Sequence, residues 1–246
     1  MSDETVRPLR LGFLYPGHSA EDDYPTMAAM LDPSPDVTLV HTSVGEDAHR
    51  VDALLDLGGP DRLAEGAAAL GSVDAVLWAC TSGSFVFGWE GARGQVEPLA
   101  AQMGVPASST SFAFVEAIRA LGVERVAVAA TYPADVTAAF VEFLGAAGIT
   151  VVASDAQDVI TAAEVGTFGA DRVLDFVAAG DHPDADAVLV PDTALHTAAV
   201  VEQLEATLGK PVLTANIVTM WEALRISGGL GSIESATGLG TLFAHR

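Results

Sequence analysis

Residues 74–84 read DAVLWACTSGS, an apolar run of strand length that ends on the chain's single cysteine and turns polar at once. Residues 186–196 repeat the shape as DAVLVPDTALH, with Asp192 where the first copy has Cys80. Continuous apolar runs, unlike alternating ones, suit strands covered on both faces, as in parallel sheets packed between helices. Asp74 and Asp186 then open equivalent strands, and Cys80 and Asp192 stand just past their carboxyl ends. That end of an open parallel sheet is where ligands bind.

The same duplication extends outward. RLGFLYP from residue 10 is echoed by RVAVAATYP from 125, GVPASST from 104 by GKPVLTA from 209, and FVEAIRALG (114–122) by MWEALRISG (220–228). Four echoes in one order, at nearly constant spacing, indicate two copies of one unit. Further short runs, VTLVHT (37–42) and ITVVAS (149–154), alternate with Ala-rich segments of helical period, the pattern of βαβ units. The expected fold is α/β, with two similar domains, each a mainly parallel sheet flanked by helices, related by a pseudo-two-fold axis. Residues 1–122 form the N-terminal half and 123–246 the C-terminal half, with the active site in the cleft between them. The last helix and tail are free to pack back on the first half.

Cys80 admits two readings. A lone cysteine is commonly an inert core thiol. The Thr81-Ser82-Gly83-Ser84 tail argues otherwise, because small hydroxyl residues and backbone N–H groups ahead of a helix suit an anion and favour thiolate. Asp192 likewise reads either as the N-cap of a following helix or as a proton donor opposite the thiol. Thr193 repeats Thr81 as a donor for an anionic oxygen. Tyr132 echoes Tyr15, and both, with Pro16, are candidates for the cleft mouth or for packing beside a Pro turn. In the polar loop PGHSAEDDYP (16–25), His18 is a candidate substrate contact. His18 with Asp22 and Asp23 lacks any established metal-ligand spacing, so no metal is expected.

Composition narrows the function classes. Thirty-three acidic against eleven basic residues give a net charge of −22, and Lys210 is the single lysine. Such a surface repels nucleic acid and anionic membrane, so neither is an expected partner. One cysteine excludes an intrachain disulfide and fits a reducing cytoplasm. The N-terminus has acids ahead of a short apolar run, unlike a signal peptide, and no apolar run approaches membrane-spanning length. No phosphate-binding or dinucleotide-binding glycine motif and no C-x-x-C occurs, TSGSF is not G-x-S-x-G, and the Gly-rich stretch 228–240 reads as a connection. No cofactor is expected.

These residues resemble the Asp/Glu racemase superfamily, and within it the branch of maleate cis-trans isomerases and arylmalonate decarboxylases. The resemblance covers nearly the whole chain and is most specific at ACTSGS (79–84), ATYPADV (130–136) and TANIVTMWEALRISG (214–228). It implies isomerases with one cysteine in each half. The first attacks the double bond of maleate and the second supplies a proton; rotation about the new single bond and elimination give fumarate. Cys80 falls on the first position, Thr81 and Ser82 on residues that bind a substrate carboxylate, and Tyr132 on the tyrosine of the second half. The second cysteine position holds Asp192. The loop that carries a P-x-S-N-T-like pattern in the family reads PGHSAEDD, and the asparagine of the isomerases is absent near Ala162 and Ala163. The decarboxylases have Gly at the first position and Cys at the second, so Cys80 with Asp192 matches neither arrangement. The resemblance also implies a homo-oligomer, dimer or tetramer.

The leading expectation is a cofactor-independent isomerase of a small carboxylic acid, most concretely maleate or a substituted maleate, through a Cys80 nucleophile. Its alternatives are decarboxylation of a malonate-type acid through an enediolate, amino-acid racemisation, and a catalytically silent relative that binds a carboxylate.

Overall fold

A computed structural model describes residues 7–245; the first six residues, and the signal-peptide reading that falls on them, lie outside it. The first half contributes β1 (Arg10–Pro16), β2 (Leu31–Asp32), β3 (Asp36–Thr42), β4 (Ala75–Trp78) and β5 (Ala107–Ser109). The second contributes β6 (Arg125–Ala130), β7 (Thr150–Ala156), β8 (Ala187–Val190), β9 (Val212–Thr214) and β10 (Ser235–Ala236). They build two four-stranded sheets, ordered β3-β1-β4-β5 and β7-β6-β8-β9, with every pairing parallel. One topology therefore occurs twice, as the echoes require.

Burial explains the apolar runs. All four residues of β4 and of β8 are buried, whereas the edge strands β3 and β7 keep exposed positions. Each inner strand is pinned at its start by the aspartate that precedes it. Asp74 accepts from the Arg10 amide at 2.8 Å and from the Arg7 guanidinium at 2.8 Å. Asp186 accepts from the Arg125 amide and guanidinium, both at 3.0 Å. The Arg7 guanidinium holds the Asp74 carboxyl well below the usual carboxylate range, and Arg125 lowers Asp186 in the same way.

The helices of the first half are α1 (Asp23–Ala29), α2 (Val51–Leu57), α3 (Pro60–Leu70), α4 (Ser82–Phe85), α5 (Gly88–Met103) and α6 (Thr110–Ala120). Those of the second are α7 (Ala134–Ala146), α8 (Ala162–Val165), α9 (Ala170–Ala179), α10 (Val201–Leu208), α11 (Ala215–Ile226) and α12 (Gly240–Ala244). The echo between GVPASST and GKPVLTA has a physical origin. Gly104 and Gly209 end α5 and α10 in the left-handed conformation, at φ +66° and +68°, where glycine avoids the Cβ clash.

The two halves share a core. Phe140 of α7 meets Phe85 and Phe114 of the first half at ring-centroid distances of 5.1 and 5.5 Å. Helices α6 and α11 pack against each other, with the Thr110 and Thr219 hydroxyls 2.7 Å apart, and α11 also covers β4 and β5. From Ala215 to Leu224 every residue of α11 is buried. The tail returns to the first half, where β10 pairs antiparallel with β2. No helix among the described residues is long and apolar enough to cross a membrane. Phe140→Ala is expected to cost about 3–5 kcal/mol, the usual penalty for emptying a buried aromatic site. Urea unfolding followed by Trp fluorescence and by circular dichroism is expected to show one coincident transition. Two separated transitions would contradict a shared core.

Candidate active site

Cys80 lies just past the end of β4 and Asp192 just past the end of β8. Cys80 and Asp192 both line a single cavity of about 220 Å³. Three loops roof it: residues 16–19, 44–49 and the start of α8. The roof is stitched across the halves. The Asp47 carboxylate accepts the amides of Ala162 and Ala163 at 3.0 and 3.1 Å, and Ser19 donates to the Ala194 carbonyl at 3.0 Å. Val44, Leu54, Leu57, Ala162 and Ala163 give the lining an apolar share.

Cys80 is 2% exposed, and its Sγ accepts the Gly83 amide at 3.3 Å. Burial pushes its pKa up to about 12; the Gly83 and Ser82 contacts oppose the rise and the Asp192 charge adds to it. The expected thiolate is thus corrected: α4 is a single turn, and desolvation outweighs one amide hydrogen bond. The amides of Ser84 and Phe85 go to the Thr81 carbonyl, which leaves those of Thr81 and Ser82 without a protein acceptor among the described residues. Ser82 itself lines the cavity.

Asp192 is 4% exposed. Its Oδ2 accepts the Thr131 hydroxyl and its Oδ1 accepts the Ala194 amide at 2.9 Å. The N-cap reading is corrected as well, because residues 192–200 are irregular, with turns at 193–194 and 198–200, and α10 begins only at Val201. Those turns are held from α1 and α11. Asp23 accepts the amides of Thr197 and Ala198, and Asn216 donates to Asp23 and to the Leu195 carbonyl. His49, which the sequence reading passed over, is buried with Nε2 4.0 Å from Asp192 Oδ2.

The remaining candidates divide. Pro16, His18 and Thr193 line the cavity with Cys80, Ser82 and Asp192. Thr81 and Tyr132 do not. Thr81 is fully buried, and Tyr132 donates to the Pro191 carbonyl at 2.6 Å and packs on Phe85. Tyr132 is a wall behind the site rather than its mouth. Its echo Tyr15 lines the cavity and donates to the Thr193 carbonyl at 2.8 Å. Asp22 turns to His196 at 2.9 Å and Asp23 is used inside, so neither joins His18. His18 instead lies with Glu21 and His41, their ligand-type atoms within 4.8 Å of one another at the rim. His41 Nδ1 is engaged by the Gly17 carbonyl, and His18 and His41 are exposed.

Comparison with known proteins adds a lineage. Residues 59–243 match the family model of arylmalonate decarboxylase. An arylmalonate decarboxylase of Bordetella bronchiseptica is 32% identical over 151 residues, 57% of this chain and 58% of that protein. A maleate isomerase of Geobacillus stearothermophilus is 29% identical over 139 residues, 55% of each. The chain thus spans about half the length of the curated relatives it matches. Solved structures share the fold. A Nocardia farcinica maleate cis-trans isomerase mutant, with a covalently bound succinylcysteine intermediate, superposes with TM-score 0.87 at 21% identity, covering 98% of this chain and all of that one. The maleate isomerase of Pseudomonas putida S16 gives 0.85 at 22% identity, covering 96% of this chain and 98% of that one.

The buried thiol carries a testable signature, simplified by its being the chain's one cysteine. Its alkylation by iodoacetamide is expected to rise about tenfold per pH unit from pH 7 to 10 without levelling, because only thiolate reacts. Asp192→Asn is expected to move the profile to lower pH by removing the opposing charge. A plateau near pH 8 in the native chain would contradict this environment.

Proposed function

The chain belongs to the arylmalonate decarboxylase family, and from that premise we propose that it is a cofactor-independent isomerase of a small unsaturated carboxylic acid, most concretely maleate or a substituted maleate. One observation carries the reading: a thiol from one half and a carboxylate from the other line one cavity. A planar alkene between them meets a nucleophile on one side and a proton-transfer group on the other. The Cys80 thiol proton passes to a base on the Asp192 side as the sulfur adds to one alkene carbon. The π pair moves onto the neighbouring carboxylate as an enediolate, and a proton reaches the second carbon from the Asp192 side. Rotation about the single bond, followed by the reverse steps, releases the trans acid and restores the thiol.

Ser82 lines the cavity beside Cys80, and its amide, with that of neighbouring Thr81, is the donor set proposed for the enediolate; each such donor is worth about 3 kcal/mol in a dry site. A thiol held protonated until substrate arrives also keeps the nucleophile from reacting elsewhere. The free thiol is consistent with a cytoplasmic protein.

The apolar share of the lining, with Val44, Leu54 and Leu57, favours a second reading, decarboxylation of a substituted malonate. There one carboxylate leaves as carbon dioxide, its bonding pair stays as an enediolate on the same amides, and the Cys80 thiol delivers its proton to the carbon. Solvent then reprotonates the sulfur. Proton NMR of the native chain with maleate in deuterated buffer is expected to show fumarate, with at least a 1,000-fold loss in Cys80→Ala, as for removal of a covalent nucleophile. Turnover of a disubstituted malonate with maleate left unchanged would move the second reading to the front. Full activity of Cys80→Ala on either acid would exclude both.

A further inference from the structure

We propose that His49 and Asp192 form a coupled proton-transfer pair, with His49 Nε2 as the atom that exchanges the proton. The role in turnover rests on the isomerase reading, whereas the pairing stands on geometry alone. His49 is buried at the end of a roof loop of exposed residues, and four contacts hold it. Its amide donates to the Ile160 carbonyl at 2.6 Å, and its ring stands edge-on to Tyr132 at 4.9 Å. Its Nδ1 lies 2.9 Å from the Val159 carbonyl, and Nε2 lies 4.0 Å from Asp192 Oδ2.

The Val159 contact decides the tautomer. A carbonyl oxygen only accepts, so Nδ1 must carry a proton, and Nε2 is the basic nitrogen of the neutral ring. The second nitrogen lies in the wall of the cavity beside a carboxylate fixed by Thr131 and Ala194. At 4.0 Å the pair is too long for a direct hydrogen bond, so a proton on Nε2 is not locked to Asp192 and is available to a bound molecule. Asp192 and Tyr132 face the ring from the second half, Cys80 lines the same cavity, and Glu46 and Asp47 lie on its own loop, Asp47 being occupied by the α8 amides.

The proton balance closes with these groups. The Cys80 thiol proton moves to Nε2 as the S–C bond forms, giving an imidazolium that the Asp192 carboxylate stabilises. Nε2 then delivers that proton to the second alkene carbon, while the Nδ1 proton stays on the Val159 carbonyl. After rotation Nε2 takes the proton back, and the departing sulfur recovers it. His49 supplies the proton that the second-half cysteine would supply in the isomerases this chain resembles.

The test uses the full chain in two measurements. Long-range ¹H–¹⁵N spectra of ¹⁵N-histidine-labelled protein, with His49 assigned by its loss in His49→Gln, read the tautomer and the surroundings of Nε2. The neutral ring is expected to carry its proton on Nδ1, and Asp192→Asn is expected to move the Nε2 resonance while Nδ1 stays protonated. An Nε2-protonated neutral ring, or an Nε2 resonance that ignores Asp192→Asn, would overturn the pair. In maleate turnover, His49→Gln is expected to lower kcat about 100-fold with little change in KM, and added imidazole to restore part of the rate. An unchanged kcat would overturn the relay. A native chain inert towards both acids would remove the isomerase reading and with it the relay, and the spectra would still decide the pair.

Discussion

A carboxylate buried without a lysine or arginine beside it is the constraint around which this protein is arranged. Among the described residues, the ion-pair partner of Asp192 is His49, at 4.0 Å, and its close donors are one hydroxyl and one amide. Its field reaches the other acidic protons of the site. Burial is the first cause that raises Cys80, Tyr15 and Tyr132, and the Asp192 charge adds to the rise in all three. The resting cavity therefore holds its protons. A substrate carboxylate entering it brings a second negative charge, to be met by neutral amides on the Cys80 side and by a proton near the Asp192 side. The proposed chemistry, which moves one proton between two walls with no net change, suits that electrostatic situation.

The fold exists to keep two strand ends opposed. Each inner strand is pinned at its far end by an aspartate on an arginine, and the halves are fused by α6 against α11 and by Phe140 between Phe85 and Phe114. The turn after Asp192 has no helix to hold it. Asp23 from α1 and Asn216 from α11 hold it instead, and the Tyr15 hydroxyl takes the Thr193 carbonyl. Asp23 pays for this by being buried, which raises its carboxyl despite three donors that oppose the rise. Asp23 and Tyr15 of the first half thus hold the turn that follows Asp192 in the second.

Much of this was legible in the sequence, and the limits have physical reasons. Strands buried on both faces leave unbroken apolar runs, so β4 and β8 and the equivalence of Cys80 with Asp192 could be read directly. Strand β5 could not, because its Ala-Ser-Ser is buried by α6 and α11 rather than by its own character. The PDTALH segment has the residues of a helix cap, yet contacts from 170 or more residues away impose turns. The thiol's protonation was misjudged because the motif around Cys80 shows the donors and hides the desolvation. His49 left no signal: a histidine in a polar loop becomes a site residue only when the second half supplies the Val159 carbonyl and the Asp192 carboxylate.

A crystal structure of the Cys80→Ser chain with maleate tests the central claim most directly. The account predicts one molecule in the cavity between the halves, a carboxylate on the Thr81 and Ser82 amides, the double bond beside residue 80, and its opposite face towards His49 and Asp192. Maleate bound elsewhere, or bound here with its double bond turned from residue 80, would contradict it.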